Sequence, residues 1–309
     1  MFLSILTIGS ITIFMIVLCI CLGRISGNTA PYIAYGFPSM FLIVTSLGYF
    51  LSGPSLTIVF WMLIFALLFI GIREIKFLKI EFLAASVIAP IVMFISLIPT
   101  ITKGEFLFFS EGIGDITIFA PTAYVIDSPL SRSLSLSSSD DPLMKIDLES
   151  VSANERLILL GWTQRYPGWF SLSHLFRNLG LTVEVSWFVG VISLISIMLI
   201  ALFVTLNVLN QFQKADFKTW HLYLITLIPM VMYGSYIASN NGSFAQLQSQ
   251  AICSCYIAAI LSSKFLLANS WHAVFILASV VSYYPSSYVP ALLFAASIVI
   301  RWKTRGRYE

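Results

Sequence analysis

Charge is what this chain has least of. Asp, Glu, Lys and Arg together make up 10% of its 309 residues, against about one quarter in an ordinary soluble domain. So little charge excludes a free-standing water-soluble enzyme. The net charge of +3, from 17 Lys and Arg against 14 Asp and Glu, excludes a nucleic-acid binder, which needs a basic stripe to displace counterions. Cysteine is scarcer still: Cys19, Cys21, Cys253 and Cys255 form two C-x-C pairs inside apolar runs. No His or further Cys stands near them to complete a zinc site, so each thiol reads as a small hydrophobe. No acidic residue sits in the middle of an apolar run, which argues against ion- or proton-coupled transport, where intramembrane carboxylates carry the coupling. A G-x-x-x-x-G-K-[ST] phosphate loop, an H-E-x-x-H metal pair and a G-x-S-x-G elbow are also missing, and with them the chemistries those motifs perform.

What is abundant is apolar sequence: 58% of the residues are hydrophobic and the mean hydropathy is +0.92. A membrane-crossing helix needs about 20 apolar residues, and the runs that supply them are 2–22, 32–52, 55–72, 80–99, 185–209, 219–238 and 247–266. The first lacks a basic leader and a small-residue cleavage site, so it is expected to be a retained span. A last block, 270–300, would be about 45 Å long as one helix. Pro285 and Pro290 interrupt it, and the spacing predicts a hairpin turning at Tyr284-Pro285-Ser286-Ser287.

Short basic loops mark the cytoplasmic side. They carry Arg24, then Arg73, Lys76 and Lys79, then Lys214 and Lys218, then Lys264, and finally the tail with Arg301, Lys303, Arg305 and Arg307. Alternation is consistent only with the N-terminus outside, a double crossing at 270–300 and the C-terminus in the cytoplasm. The expected fold is therefore all-α, a polytopic helical membrane protein of about nine transmembrane helices with one large outer loop. Four helices in 1–99 come first, then an extracytoplasmic loop over 100–183 with short interfacial helices near 116–126 and 168–179. Five helices in 184–300 follow, and a basic tail at 301–309. His221 and His272 fall at cytoplasmic helix ends and are expected only to anchor them.

The loop at 100–183 holds most of the residues able to do chemistry. Asp115 follows Gly112 and Gly114 and opens a helix-like run, which suits an N-cap and equally a carboxylate held at the membrane surface as a general base. Glu105 and Glu111 precede it, either one a candidate second carboxylate or simply a solvated loop charge, and Glu111 and Asp115 are the candidates for a divalent ion such as Mg or Mn. Asp140 and Asp141 sit in a Ser-rich stretch and read as a solvated loop. Arg165, Tyr166, His174 and Arg177 form a basic set suited to a phosphate, with Arg able to bond it bidentately; Arg177 reads rather as an interfacial anchor. Farther on, SNNGSFAQLQSQ at 239–250 runs polar side chains into a helix start. Gln246 and Gln250 share one face there, which should look into the bundle, either to bind sugar hydroxyls or to bond neighbouring helices.

Three segments carry a resemblance: GIGDITIFAPTAYVI at 112–126, RYPGWFSLSHLF at 165–176 and SYYPSS at 282–287. Together the chain resembles the bacterial multi-pass glycosyltransferases of the GT-C superfamily, with their acidic first outer loop, a Tyr-Pro-x-Gly-x-His element and an outer Pro hairpin. The element departs from that pattern at Phe170 and Ser171, with His174 four residues late, and the hairpin has Tyr284-Pro285 in place of His-Pro. The resemblance implies an enzyme of the cytoplasmic membrane that moves a sugar from a polyprenyl-phosphate donor to a glycan, lipid or protein acceptor on the outer face. Asp115 would be its general base, and Arg165, Tyr166 and His174 would hold the phosphate. Members usually continue into further helices and an outer domain, so the chain is expected to be a truncated or minimal form, either inactive or dependent on a partner. Two other readings stand beside it: a non-catalytic transport or flippase component for lipid-linked saccharides, and a degenerate scaffold subunit.

Overall fold

The computed structural model describes residues 2–26, 30–51, 53–72, 79–104, 175–176, 178–213, 217–228, 244–264, 267–282 and 287–305. Everything regular among them is helical. The elements are α1 (Phe2–Ser26), α2 (Tyr32–Phe50), α3 (Gly53–Ile72), α4 (Lys79–Lys103) and α5 (Val183–Gln213), α6 (Thr219–Ile228), then α7 (Phe244–Ser262), α8 (Asn269–Ser282) and α9 (Tyr288–Arg305). Three stretches are long and apolar enough to cross a membrane: Phe2–Ile25, Ile80–Lys103 and Val185–Gln211. The remaining helices are apolar and shorter.

The expected runs reappear with ends moved by a few residues. α1 and α4 each extend about a turn past the apolar sequence, because polar residues such as Arg24 and Lys103 close a helix well at its C-terminus. The block at 270–300 divides as expected into α8 and α9, which pack on each other; residues 283–286 of its turn lie outside the described residues. So does the end of the expected run 219–238, of which 219–228 is described.

Packing sorts the helices into a centre and a rim. α1, α2, α5 and α7 form the core, with α1 and α7 each packed on both α2 and α5. α5 is enclosed on nearly every side, from Val189 through Ile192 and Ile200 to Val204. The rim presents large apolar side chains outward, among them Met62, Phe65 and Phe69 of α3, Phe94 of α4 and Trp302 of α9. Such a surface suits hydrocarbon lipid rather than water.

The α1/α2 hairpin is the tightest contact. Gly23 lies against the Tyr32 carbonyl and Gly36 against the Cys19 carbonyl, with each glycine facing the backbone nitrogen of the other. Without side chains the two backbones approach closely, which is how membrane helices gain dispersion energy where lipid offers no hydrophobic drive.

Candidate functional site

The contacts fix which helix ends meet. Tyr256 of α7 bonds His272 of α8, and farther along the pair Ser249 bonds Ser279 at 3.2 Å, so α7 and α8 run antiparallel. Tyr35 near the start of α2 meets Trp271 near the start of α8, edge to face at 4.8 Å. Tyr223 of α6 stacks on Phe203 of α5 at 4.2 Å and reaches the Leu83 carbonyl of α4 at 3.5 Å. Arg24, Glu81, Lys218, Lys264 and Arg301 consequently share one end of the bundle.

That end holds a buried polar network. Glu81 is fully buried, and its two carboxylate oxygens accept the N–H groups of Tyr32 at 2.5 Å and Ile33 at 2.8 Å. The start of a helix leaves such donors without intrahelical partners, and Pro31 at the cap position supplies no side-chain acceptor. Glu81, from another helix, supplies both acceptors. The Arg24 guanidinium sits over the Tyr32 ring at 5.4 Å, in cation–π range.

On the other side of the same end, His272 is 2% exposed. Its Nδ1 meets the Tyr256 hydroxyl and its Nε2 lies 3.3 Å from Arg301. Arg301 also donates to the Leu267 carbonyl and, at 3.4 Å, to Asn269 Oδ1. His272, expected only to anchor its helix end, does so as a buried tie among α7, α8 and α9. His221 is closer to expectation: its Nδ1 accepts the Lys218 N–H at 3.2 Å, at the head of α6.

Replacing Glu81 tests the network. Glu81→Ala is expected to lower stability by about 2–6 kcal/mol, because two buried N–H donors lose their acceptors and each costs about 1–3 kcal/mol unsatisfied. Glu81→Gln should cost less, since one carbonyl oxygen remains. Thermal unfolding in detergent reads the order, and amide exchange at Tyr32 and Ile33 should accelerate in both variants. Equal stability of Glu81→Ala and the native chain would remove the cap argument.

At the opposite end stand the limits of the polar loop. Leu83 lies level with Phe203, and the part of α5 before that level, from Val185 to Ile192, is buried rather than projecting past the start of α4, so α4 and α5 run antiparallel. Lys103 and Val183 are each about 30 Å from that level at 1.5 Å per residue, at the same end of the bundle. Gly104, with φ +77°, closes α4 by donating to the Thr100 carbonyl at 3.0 Å. The chain re-enters through Leu175 and Phe176, which are helical and buried in the core. Gly180, with φ +75°, ends that turn, and Leu179 and Leu181 both donate to the Phe176 carbonyl at 3.1 and 3.3 Å. This glycine-closed helix end is followed at once by Thr182, whose hydroxyl accepts the Val185 N–H at 3.4 Å and caps α5. The end of the segment expected to lie at the interface over 168–179 therefore reaches into the bundle.

Glu111, Asp115, Arg165, Tyr166 and His174 lie outside the described residues. Gln246 falls in the first turn of α7, and its side chain also lies outside them. Among the described polar side chains of the string at 239–250, Gln248 and Ser249 are buried, at 0% and 1% exposure, and Gln250 is half-buried. The chain matches no protein-family model, no curated protein and no solved structure. Among the described residues no three His, Cys, Asp or Glu side chains gather as a metal site would require. Cys19, Cys21 and Cys255 are free thiols buried in the core.

Proposed function

We propose that the chain is a membrane glycosyltransferase that moves a sugar from a polyprenyl-phosphate donor to an acceptor at the outer membrane face. One observation carries this reading: α4 and α5 pack antiparallel, so the segment that holds Glu111, Asp115, Arg165, Tyr166 and His174 leaves and re-enters the bundle at one end. That end is opposite the one where Arg24, Lys218, Lys264 and Arg301 gather. With basic residues on the cytoplasmic side, the candidate carboxylates and the phosphate-binding set stand outside, where a lipid-linked head group is presented. A nine-span topology with the N-terminus outside belongs to the same proposal.

The chemistry follows from those side chains. Asp115 takes the proton of the acceptor hydroxyl as the new glycosidic bond forms. Arg165, Tyr166 and His174 stabilise the polyprenyl phosphate as it leaves. Glu111 and Asp115 are the residues a Mg or Mn ion would use, and Gln246 is assigned to sugar hydroxyls.

The purified full chain, reconstituted in liposomes with radiolabelled polyprenyl-phosphate sugars and cell-envelope acceptors, with and without Mg, tests the proposal. A glycosidic product is the expected result. Movement of the lipid-linked sugar across the bilayer without product would replace the reading by a flippase component. Absence of both, with a membrane protein co-purifying in fixed ratio, would replace it by a scaffold subunit.

A further inference from the structure

The connection from α5 to α6 ends in a cluster of rings. The Trp220 ring centre lies 3.7 Å from that of His221, tilted by 35°, and Phe217 meets the same imidazole edge-on at 6.3 Å. Asn210, in the last turn of α5, donates its side-chain N–H to the Phe217 carbonyl at 3.0 Å and so ties the cluster to a core helix. Lys218 heads α6. Its carbonyl accepts the N–H groups of His221 at 2.9 Å and Leu222 at 3.4 Å, and its own N–H returns to His221 Nδ1 at 3.2 Å. This is the reciprocal pattern of a capping box, with an imidazole in place of the usual Glu or Gln. Because Nδ1 accepts, the neutral ring carries its proton on Nε2, which is therefore a donor.

These residues stand at the head of an apolar stripe. Phe217 and Trp220 are each 54% exposed, and Leu224 and Ile228 continue the same exposed face along α6, at the spacing of three and four residues that keeps side chains in line. Leu222 and Thr226 face the opposite way and are buried. The stripe suits acyl chains, and Lys218 stands exposed where it ends. Tyr223, in the second turn of α6, reaches the Leu83 carbonyl near the start of α4, so the rings lie at the basic end of the bundle. That is the depth of lipid headgroups, where membrane proteins collect amphipathic rings. The segment 214–218, Lys-Ala-Asp-Phe-Lys, carries two cations against one carboxylate. Glu81, also at this end, is buried with both oxygens bonded to Tyr32 and Ile33.

We propose that the head of α6 binds the headgroup phosphate of an anionic phospholipid such as phosphatidylglycerol. Lys218 supplies the charge, His221 Nε2–H a second donor, and Phe217 and Trp220 the apolar contact with the first carbons of the lipid chains. A zwitterionic lipid brings its own cation to the same place, where Lys218 repels it. One lysine near an anionic membrane surface is worth about fivefold in binding, which sets the size of the preference. The inference rests on the chain lying in a membrane and is independent of the glycosyltransferase reading.

Native mass spectrometry of the purified full chain, released from micelles containing phosphatidylglycerol or phosphatidylcholine, tests it. Phosphatidylglycerol should bind about fivefold more tightly than phosphatidylcholine. Lys218→Gln should remove the preference and Lys218→Arg should keep it. Lys264→Gln, which changes another exposed lysine at the same end, should leave it unchanged. Equal affinity of the native chain for the two lipids would overturn the proposal, and so would a preference that survives Lys218→Gln. Displacement of the lipid by inorganic phosphate, but not by chloride at equal ionic strength, would overturn it by making the ligand a free anion. Solid-state NMR of the native chain, 15N-labelled at histidine in phosphatidylglycerol liposomes, gives a second readout that needs no variant. The His221 Nε2 signal should be dephased by lipid 31P, whereas buried His272 should not. An undiminished His221 signal would count against the proposal as decisively as the binding result.

Discussion

Gly36→Ala is expected to separate α1 from α2 and to lower stability by about 3 kcal/mol or more, the upper end of the cost of overfilling a packed interior. The added Cβ would collide with the Cys19 carbonyl and would lie 2.7 Å from the Gly23 nitrogen. These are backbone atoms, so no rotamer change relieves the contact and the helices must move apart. Movement at Gly36 also shifts Tyr32 and Ile33 away from Glu81, which couples the damage to the cap. The melting temperature should fall by about 6–12 °C in detergent, at a few degrees per kcal/mol. Gly23→Ala should match it, its Cβ meeting the Tyr32 carbonyl and lying 2.9 Å from the Gly36 nitrogen. Because one separation relieves both collisions, the double variant should cost clearly less than the two single losses combined. Gly9→Ala is the control. Its Cβ would meet the Met93 thioether at 3.1 Å, and that flexible side chain can yield. A Gly36→Ala protein as stable as the Gly9→Ala protein would mean that the hairpin is looser than its backbone contacts imply.

The helices themselves were legible, because long apolar runs have one economical fold in lipid. The division of 270–300 into two helices was legible for a related reason: the block is too long for one crossing and Pro285 interrupts it. The interior was harder to read. In a bilayer the lipid-facing and protein-facing sides of a helix are both apolar, so hydrophobic periodicity does not say which way a helix turns. That is why the sequence singles out Gln246 and Gln250 as an inward pair and does not single out Gln248 and Ser249, which are buried. Glu81 was invisible for another reason: its partners lie 49 and 48 residues earlier, and nothing local to Glu81 announces the need at Tyr32. Pro31 was the one available signal, since a helix that opens after proline lacks a side-chain cap and must find an acceptor elsewhere. His272 looked like an anchor because sequence gives depth along a helix but not the azimuth toward Tyr256 and Arg301. The residues assigned to chemistry belong, apart from Gln246, to the polar loop, where motif likeness and charge type were the only guides.

Asp115→Asn is expected to abolish sugar transfer while leaving the fold intact, and the choice of asparagine is what gives the test its force. The local sequence gives Asp115 two roles, an N-cap and a general base. Asparagine caps a helix about as well as aspartate, so Asp115→Asn preserves the first role. Its amide cannot take a proton from an acceptor hydroxyl, so the second is removed. General-base assistance is worth about a hundredfold to ten-thousandfold in rate, and the loss should reach at least the lower of those figures in steady-state transfer. Asp115→Ala removes both roles and should add a stability loss of about 0.5–2 kcal/mol, visible as a lower melting temperature beside a similar loss of rate. The diagnostic comparison is therefore between the two variants. Activity retained in Asp115→Asn but lost in Asp115→Ala would make Asp115 a structural cap and move the base to Glu111. Glu111→Gln, four residues earlier, would then be the variant to show the hundredfold loss.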